Sequence, residues 1–478
     1  MLERIKKHRY ALRLRLVRKG RKLTAPQLVT LSFLGVILTG SLLLMLPFSQ
    51  SSTAPPVAYI DALFTAVSAT CVTGLVTVTT AAQWSLFGQL VILLMIQIGG
   101  LSLVTLYMFV LINTGKKIAM KQRILMSTSM NQSGTAGLIR VAQFTMKTTF
   151  IIEGVGAVLL TIFFLCQGEF SVIQSIYYGI FHSISAFCNA GFDVLGDSSL
   201  SPYVSSLPLN LIITLLIISG GIGFSVWQNV LSAIRSRIKK GKHKYLHLTL
   251  HSKLALISTA LLILFGTFYF FATEYSNPDT LGSFPLSTKV LAAYFQSITL
   301  RTAGFYTFNQ MALTESSKFV SSLLMLIGGS PGGTAGGIKT VTLAVIFCGM
   351  IASLRGKSEI DVMKRNIPTK LFFRAITITG IMLSLWFGVA TILEFTEKGM
   401  AIPYTFMDLL FEVSSALGTV GITTGITPYL SGIGKALIMS CMFIGRLGPI
   451  GIVLSLQRKS HEDEKTSIHL PPEQVMIG

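Results

Sequence analysis

Eight apolar stretches, near 27–48, 85–112, 144–167, 207–233, 253–274, 317–353, 371–395 and 432–456, dominate this chain. Each is long enough to cross a hydrocarbon core of about 30 Å, which takes about 20 helical residues. Only structures that satisfy every backbone polar group internally can sit there, and runs of this length mean helices rather than barrel strands. Composition agrees, with 51% hydrophobic and 12% charged residues, about half the charge a soluble domain carries.

Between the first and second stretch, and again between each later pair, lies a segment too short and too polar at one end to cross: roughly 58–73, 174–190, 286–303 and 404–420. Such a segment can only enter the membrane and return. Each ends in a related tetrapeptide: Val72-Thr73-Gly74-Leu75, Asn189-Ala190-Gly191-Phe192, Thr302-Ala303-Gly304-Phe305 and Thr419-Val420-Gly421-Ile422. The glycines are separated by 117, 113 and 117 residues (191−74, 304−191, 421−304). A Phe and a hydroxyl residue four positions on precede each glycine: Phe64 and Ser68, Phe181 and Ser185, Phe295 and Thr299, Phe411 and Ser415. The third copy is one residue shorter after its hydroxyl. Phe and hydroxyl at this spacing share one face of a short helix.

The formal charge of +20 would point to nucleic acid in a soluble chain. Here the cations cluster between apolar runs and report topology instead. The N-terminal arm, the connection from Lys116 to Arg140, the run from Arg235, the stretch from Arg355 and the tail after Arg458 are basic, whereas 49–84 and 167–208 hold no Lys or Arg. All inter-repeat connections and both termini are therefore expected on the cytoplasmic side. The long basic start also lacks the form of a cleavable secretory signal. Four repeats of one orientation surround an axis normal to the membrane, which favours a pore over an alternating-access carrier.

The fold expected is all-α and integral to the membrane: eight transmembrane helices in four parallel span, re-entrant loop, span repeats with pseudo-fourfold symmetry. The divisions are a basic arm (1–26), repeats at 27–115, 140–235, 250–355 and 370–457, and a tail (458–478). Glycine carbonyls facing an axis, with no Cβ in the way, suit a monovalent cation, whereas divalent selectivity calls for rings of Asp or Glu. No such ring stands at the four sites. Asp61, Glu169, Asp193 and Asp197 near the outer mouth could concentrate cations. Cys71, Cys166, Cys188, Cys348 and Cys441 have no metal-ligand spacing and read as buried thiols.

Two further features bear on mechanism. Six glycines, Gly328, Gly329, Gly332, Gly333, Gly336 and Gly337, interrupt an apolar run from about Val320 to Ile351, each costing a helix about 1 kcal/mol against alanine. Ile338 separates Gly337 from Lys339, so this is no phosphate-binding loop; from the residues alone it reads as a glycine packing kink. Arg446 lies inside the last span, twelve residues before Arg458 (458−446), or roughly 18 Å along a helix. An unpaired cation there costs about 2.5–3.5 kcal/mol, so it needs a partner or water.

"SATCVTGL", "SAFCNAGFD", "LRTAGF" and "SSALGTVGI", with "IGGSPGGTAGGIKT" and "FIGRLGPIGI", resemble the Trk/Ktr/HKT superfamily of potassium transporters over essentially the whole chain. The absence of an additional pair of spans before the first repeat, and the closing "PPEQVMIG", are most similar to KtrB-type subunits. The resemblance implies a homodimer in the cell membrane and a cytosolic ring of nucleotide-binding KtrA-type subunits. It implies K+ as the transported ion, with Na+ as a possible activator. Filter positions would fall on 72–74, 189–191, 302–304 and 419–421, and a gating loop on Gly328 to Gly337 with Lys339 behind it. Arg446 would project into the conduction path near that loop and set an electrostatic barrier to cations there; the alternative is an internal ion pair or carbonyl clamp holding the final helix. Some sodium-preferring relatives carry serine at the first filter position; this chain has Gly74. No dinucleotide fingerprint or Walker motif stands in the chain, so no cofactor is expected in it and nucleotide sensing falls to the partner; basic cytoplasmic stretches would mostly meet membrane lipid. No enzyme activity is expected. The competing readings are a sodium-selective or sodium-coupled transporter and a membrane subunit assembling with an ATPase.

Overall fold

A computed structural model describes residues 24–102, 105–106, 138–240, 248–357, 359–449 and 451. Most of the basic arm, most of the 116–140 connection, half of the run from Arg235 and the tail lie outside the described residues.

Each repeat contributes a long helix, a short one and a second apolar one. The first is α1 (Ala25–Leu44), α2 (Tyr59–Cys71) and α3 (Leu86–Leu101). The second is α4 (Leu138–Gln167), α5 (Val172–Cys188) and α6 (Leu207–Gly221), prolonged by α7 (Phe224–Lys240). The third is α8 (Leu250–Glu274), α9 (Leu286–Thr299), α10 (Glu315–Leu326) and α11 (Thr340–Leu354). The fourth follows a hairpin of β1 (Ile360–Val362) and β2 (Arg365–Ile367) and comprises α12 (Thr369–Thr396), α13 (Phe406–Gly418) and α14 (Gly432–Leu447).

Helix starts follow side-chain caps that satisfy otherwise free N–H groups. Thr24, Ser171 and Thr405 form reciprocal boxes with Gln27, Gln174 and Asp408, and Ser85, Thr249, Thr314 and Ser431 cap α3, α8, α10 and α14. Among the described residues, four helices are long and apolar enough to cross a membrane unbroken, within α1, α4, α8 and α12. They turn residues such as Phe150, Ile151, Leu264, Phe268 and Phe373 outward, the surface a lipid-facing helix presents. The short helices are interior: Phe64, Phe181, Phe295 and Phe411 are wholly buried.

The second helices depart from the sequence expectation. The stretch 207–233 is not one continuous span but α6 and α7, bent by 98° at a short break. Gly223 takes φ +96°, and the N–H of Phe224 donates not to an intrahelical carbonyl but to Gly332 O at 3.0 Å in the third repeat. The stretch 317–353 is divided into α10 and α11 by the glycine run. In the first and fourth repeats the helix halts at Ser102 (φ +66°) and Gly448 (φ +77°). Glycine in the second and third repeats makes the break possible.

The all-α expectation also needs one correction. The basic stretch after Arg355 holds a hairpin with Ile360 opposite Ile367 and Val362 opposite Arg365. Its two turn residues, Met363 and Lys364, both have positive φ, the two-residue turn whose twist matches paired strands. Ile360 and Ile367 are buried in a cluster with Leu254, Val345, Ala352 and Ala375, which ties the hairpin to α8, α11 and α12.

Candidate functional site

Three of the four short helices end alike. At Val72, Asn189 and Thr419 the C-cap residue turns left-handed, at φ +57°, +61° and +52°. The N–H of the next residue then reaches back five positions: Thr73 to Ser68 O, Ala190 to Ser185 O and Val420 to Ser415 O, each 2.8 Å. This closes the helix in the manner glycine usually provides. The third helix is the shortened copy, and its closure spans four residues, Ala303 N to Thr299 O at 2.9 Å, with Thr302 at φ +73°. Left-handed geometry costs an L-residue about 1–2 kcal/mol, and β-branched Val72, Thr302 and Thr419 bear it. Their side chains are therefore needed where they stand.

Two residues on, Gly74, Gly191, Gly304 and Gly421 all have positive φ, from +67° to +95°. They also meet one another. A Cβ at Gly191 would fall 2.6 Å from Gly304 Cα, and one at Gly304 would fall 2.6 Å from Gly191 Cα and Val420 O. A Cβ at Gly74 would strike Ala190 O, and one at Gly421 would strike Thr73 O. The structure thus brings together all four tripeptides that the sequence singles out, 113–117 residues apart, as one closed circuit of backbone. Converging carbonyl oxygens of this kind can stand in for the hydration shell of a monovalent cation.

The four hydroxyls brace this circuit, in two ways. Ser68 Oγ and Ser415 Oγ accept from the N–H of Gly74 and Gly421, both at 3.0 Å. Ser185 Oγ and Thr299 Oγ1 instead donate to the carbonyls just past the glycine, Phe192 O at 2.6 Å and Phe305 O at 2.5 Å.

Beneath the circuit, the 328–337 loop is bonded to the second repeat. Ser330 N and Thr334 N donate to Gly221 O and Gly220 O at 2.8 and 3.1 Å, and Thr334 Oγ1 donates to Phe187 O at 3.1 Å. Gly328 N donates to Ile338 O at 2.9 Å, closing the loop's neck. A Cβ at Gly336 would strike the Thr419 hydroxyl, and one at Gly328 would approach Thr302 Cγ2 at 3.3 Å. Lys339 Nζ turns back onto the loop and donates to Ala335 O at 2.6 Å and Gly336 O at 3.2 Å.

Arg446 finds its partners in carbonyls. Its guanidinium donates to Thr334 O in this loop and to Gly99 O and Gly100 O at the end of α3, the last at 3.2 Å. Among the described groups it pairs with no carboxylate. The sequence contains a signal for this position that the sequence reading overlooks: Ile98-Gly99-Gly100, Ser219-Gly220-Gly221, Ile327-Gly328-Gly329 and Ile444-Gly445-Arg446. The middle glycines follow the ring glycines by 25, 29, 24 and 24 residues (99−74, 220−191, 328−304, 445−421). A Cβ at Gly99, Gly220 or Gly445 would collide with Thr70 O, Phe187 O or Leu417 O, each four residues before its ring glycine. These glycines let the second helix lie against the end of the short one. Arg446 stands where the other three repeats have glycine.

The acidic residues divide. Asp61 is ion-paired with Lys435 at 2.7 Å, whereas Glu169 accepts a hydrogen bond from the Tyr203 hydroxyl at 2.8 Å. Asp197 is exposed and lines an outer cavity of about 430 Å³ with Asp279 and Tyr306. Asp193 is half-buried just past Gly191; burial pushes its carboxyl up to about 6. Cys71, Cys188 and Cys441 are buried as expected, but Cys166 is exposed on α4.

The profile of the TrkH family, described as cation transport protein, matches residues 22–467. The chain belongs to the TrkH family of cation transport proteins. Among TrkH-family relatives it is 39% identical to the potassium/sodium uptake protein NtpJ of Enterococcus hirae, covering 96% of this chain and 99% of that one. It is 38% identical to the Ktr system potassium uptake protein B of Bacillus subtilis, over 96% and 97% of the two chains. Its fold is similar to the crystal structure of the potassium transporter TrkH from Vibrio parahaemolyticus, with a TM-score of 0.69 at 18% identity over 92% of this chain and 86% of the other.

Proposed function

We propose that this chain is the potassium-translocating subunit of a Ktr-type uptake system. It carries K+ down its electrochemical gradient through the circuit of Gly74, Gly191, Gly304 and Gly421. The mutual contact of these four glycines carries the reading: Ala190 O, Ala303 O, Val420 O and Thr73 O each face the ring glycine of a neighbouring repeat. In this reading the broken second helices complete eight spans in four parallel repeats, and both termini are cytoplasmic. Loop 328–337 is the gate beneath the filter, and Arg446, through Thr334 O, holds it in place. The chain forms a homodimer and answers to a cytosolic nucleotide-binding ring of the KtrA type.

Growth of a potassium-uptake-deficient bacterium on limiting potassium tests the proposal, with the chain expressed alone, with a KtrA-type partner, and as Gly304→Ser. The new side chain would meet backbone on two sides, so rescue by wild type and its loss or weakened potassium preference in the variant is the expected result. Membrane-localised wild type that supports no uptake with any partner, and a variant that behaves the same, would return the chain to the scaffold role beside an ATPase. The second reading, transport of sodium with or in place of potassium, draws on the potassium/sodium name of the Enterococcus hirae relative. Four glycines with no serine at the first filter position favour potassium, and competition by Na+ in the same assay separates the two.

A further inference from the structure

The residue after each buried Phe of the short helices is polar and itself buried: Thr65, His182, Gln296 and Glu412. These are equivalent positions, nine residues before the ring glycine in three repeats (74−65, 191−182, 421−412) and eight in the shortened third (304−296). Burying a polar group is costly unless it is satisfied, so each partner matters. Thr65 bonds only its own helix, at Asp61 O. His182 does likewise through Nδ1, at Tyr178 O.

The other two cross to the strand of chain that leaves the ring. Gln296 and Gln310 exchange amide hydrogen bonds at 2.6 and 3.2 Å. Glu412 accepts from the hydroxyl of Thr423 at 2.9 Å and from that of Thr427, and Thr423 Oγ1 in turn accepts from Gly425 N at 2.9 Å. Gln310 and Thr427 are each six residues beyond their ring glycine (310−304, 427−421). Ser415 holds the inner side of Gly421; the contacts of Glu412 hold the outer side.

We propose that Glu412 is a positioning residue for ion selection, a buried clamp that fixes the outgoing leg of the fourth filter segment through Thr423 and Thr427. The inference rests on the filter reading given above. Carbonyl oxygens distinguish K+ from Na+ through their number and spacing. A leg released on its outer side lets the Val420 and Gly421 carbonyls close on the smaller ion.

The test measures the ratio of K+ to Na+ uptake in cells expressing the full chain with its partner, at matched membrane abundance, for wild type, Glu412→Ala, Glu412→Gln, Thr423→Val and Thr427→Val. Loss of these hydrogen bonds lowers the ratio by about fivefold in Glu412→Ala and in the valine variants. Glu412→Gln, whose amide can accept from one hydroxyl and donate to the other, retains most of it. The valine variants are near-isosteric and keep the test open if Glu412→Ala does not reach the membrane. Unchanged ratios in a selective background would overturn the clamp. So would a glutamine variant as unselective as alanine beside normal valine variants, since that would make charge alone the cause. A wild type with no preference for K+ would remove the filter reading itself, a separate failure.

Discussion

Lys435 Nζ lies 2.7 Å from Asp61 Oδ1, so the last repeat is ion-paired to the first across 374 residues. Lys318 and Asp408, 2.9 Å apart, repeat that relation between the third repeat and the fourth. Both lysines stand fourteen residues after a ring glycine (435−421, 318−304) and both aspartates thirteen before one (74−61, 421−408). The two pairs grip the fourth repeat from either side.

The pairs differ in burial, with side chains 7% and 5% exposed for Lys318 and Asp408 against 13% and 17% for Lys435 and Asp61. Breaking the more buried pair strands a charge and costs about 3 kcal/mol. Asp408→Asn is therefore expected to lower the thermal midpoint of the detergent-purified protein more than Asp61→Asn. Lys318→Met combined with Asp408→Asn should lose less than either alone; a double variant as unstable as the sum of the singles would show that the pair is not coupled.

Arg446→Ala removes every bond from the guanidinium to Thr334 O, Gly99 O and Gly100 O. Rubidium uptake in cells lacking the cytosolic partner should rise about tenfold, the effect of losing one charged hydrogen bond of about 1.5 kcal/mol. Arg446→Lys, with a single ammonium, falls between. Uptake and partner dependence identical to wild type in the alanine variant would remove Arg446 from gating.

Val72 pits strain against packing. Val72→Gly relieves left-handed strain of about 1 kcal/mol but empties a fully buried site beside Gly99, where Val72 Cγ2 makes a close approach, at about 2 kcal/mol. Packing wins, and the variant should be less stable by about 1 kcal/mol. A raised melting temperature in the same detergent would reverse that ranking.

Asp193 provides a pH dependence. Burial holds its carboxyl at about 6, above its ordinary 3.8, so the folded protein binds this proton more readily than the unfolded chain does. Its contribution favours the fold below pH 4 and fades as pH rises toward 6. The negative charge at the outer mouth follows the opposite course, present above pH 6 and lost below. Potassium uptake measured from pH 7.5 to 5 should therefore fall at the acid end in wild type and flatten in Asp193→Asn. Parallel profiles would exclude the residue.

The ring and its short helices are legible in the sequence because each turn needs a positive φ at the same offset, and glycine is the residue that records such a need. The six glycines of 328–337 and the buried charge of Arg446 are legible for related reasons. The partners of Arg446 are not, since Thr334, Gly99 and Gly100 act through backbone carbonyls, which every residue has. The 98° break after α6 is hidden within a run whose apolar character continues on both sides of Gly223. Glu412 escapes notice because one acidic residue in an apolar helix shows nothing of the threonines that meet it.

Arg446 stands where three repeats have glycine, and this has a consequence for assembly. Four separate copies of one subunit around a shared axis would have to place either four guanidiniums at this depth or none. Joining the four units in one polypeptide frees each from identity with the others. A single fixed positive charge, set to one side of the axis and tied to one loop, is an arrangement that a homotetramer could not encode.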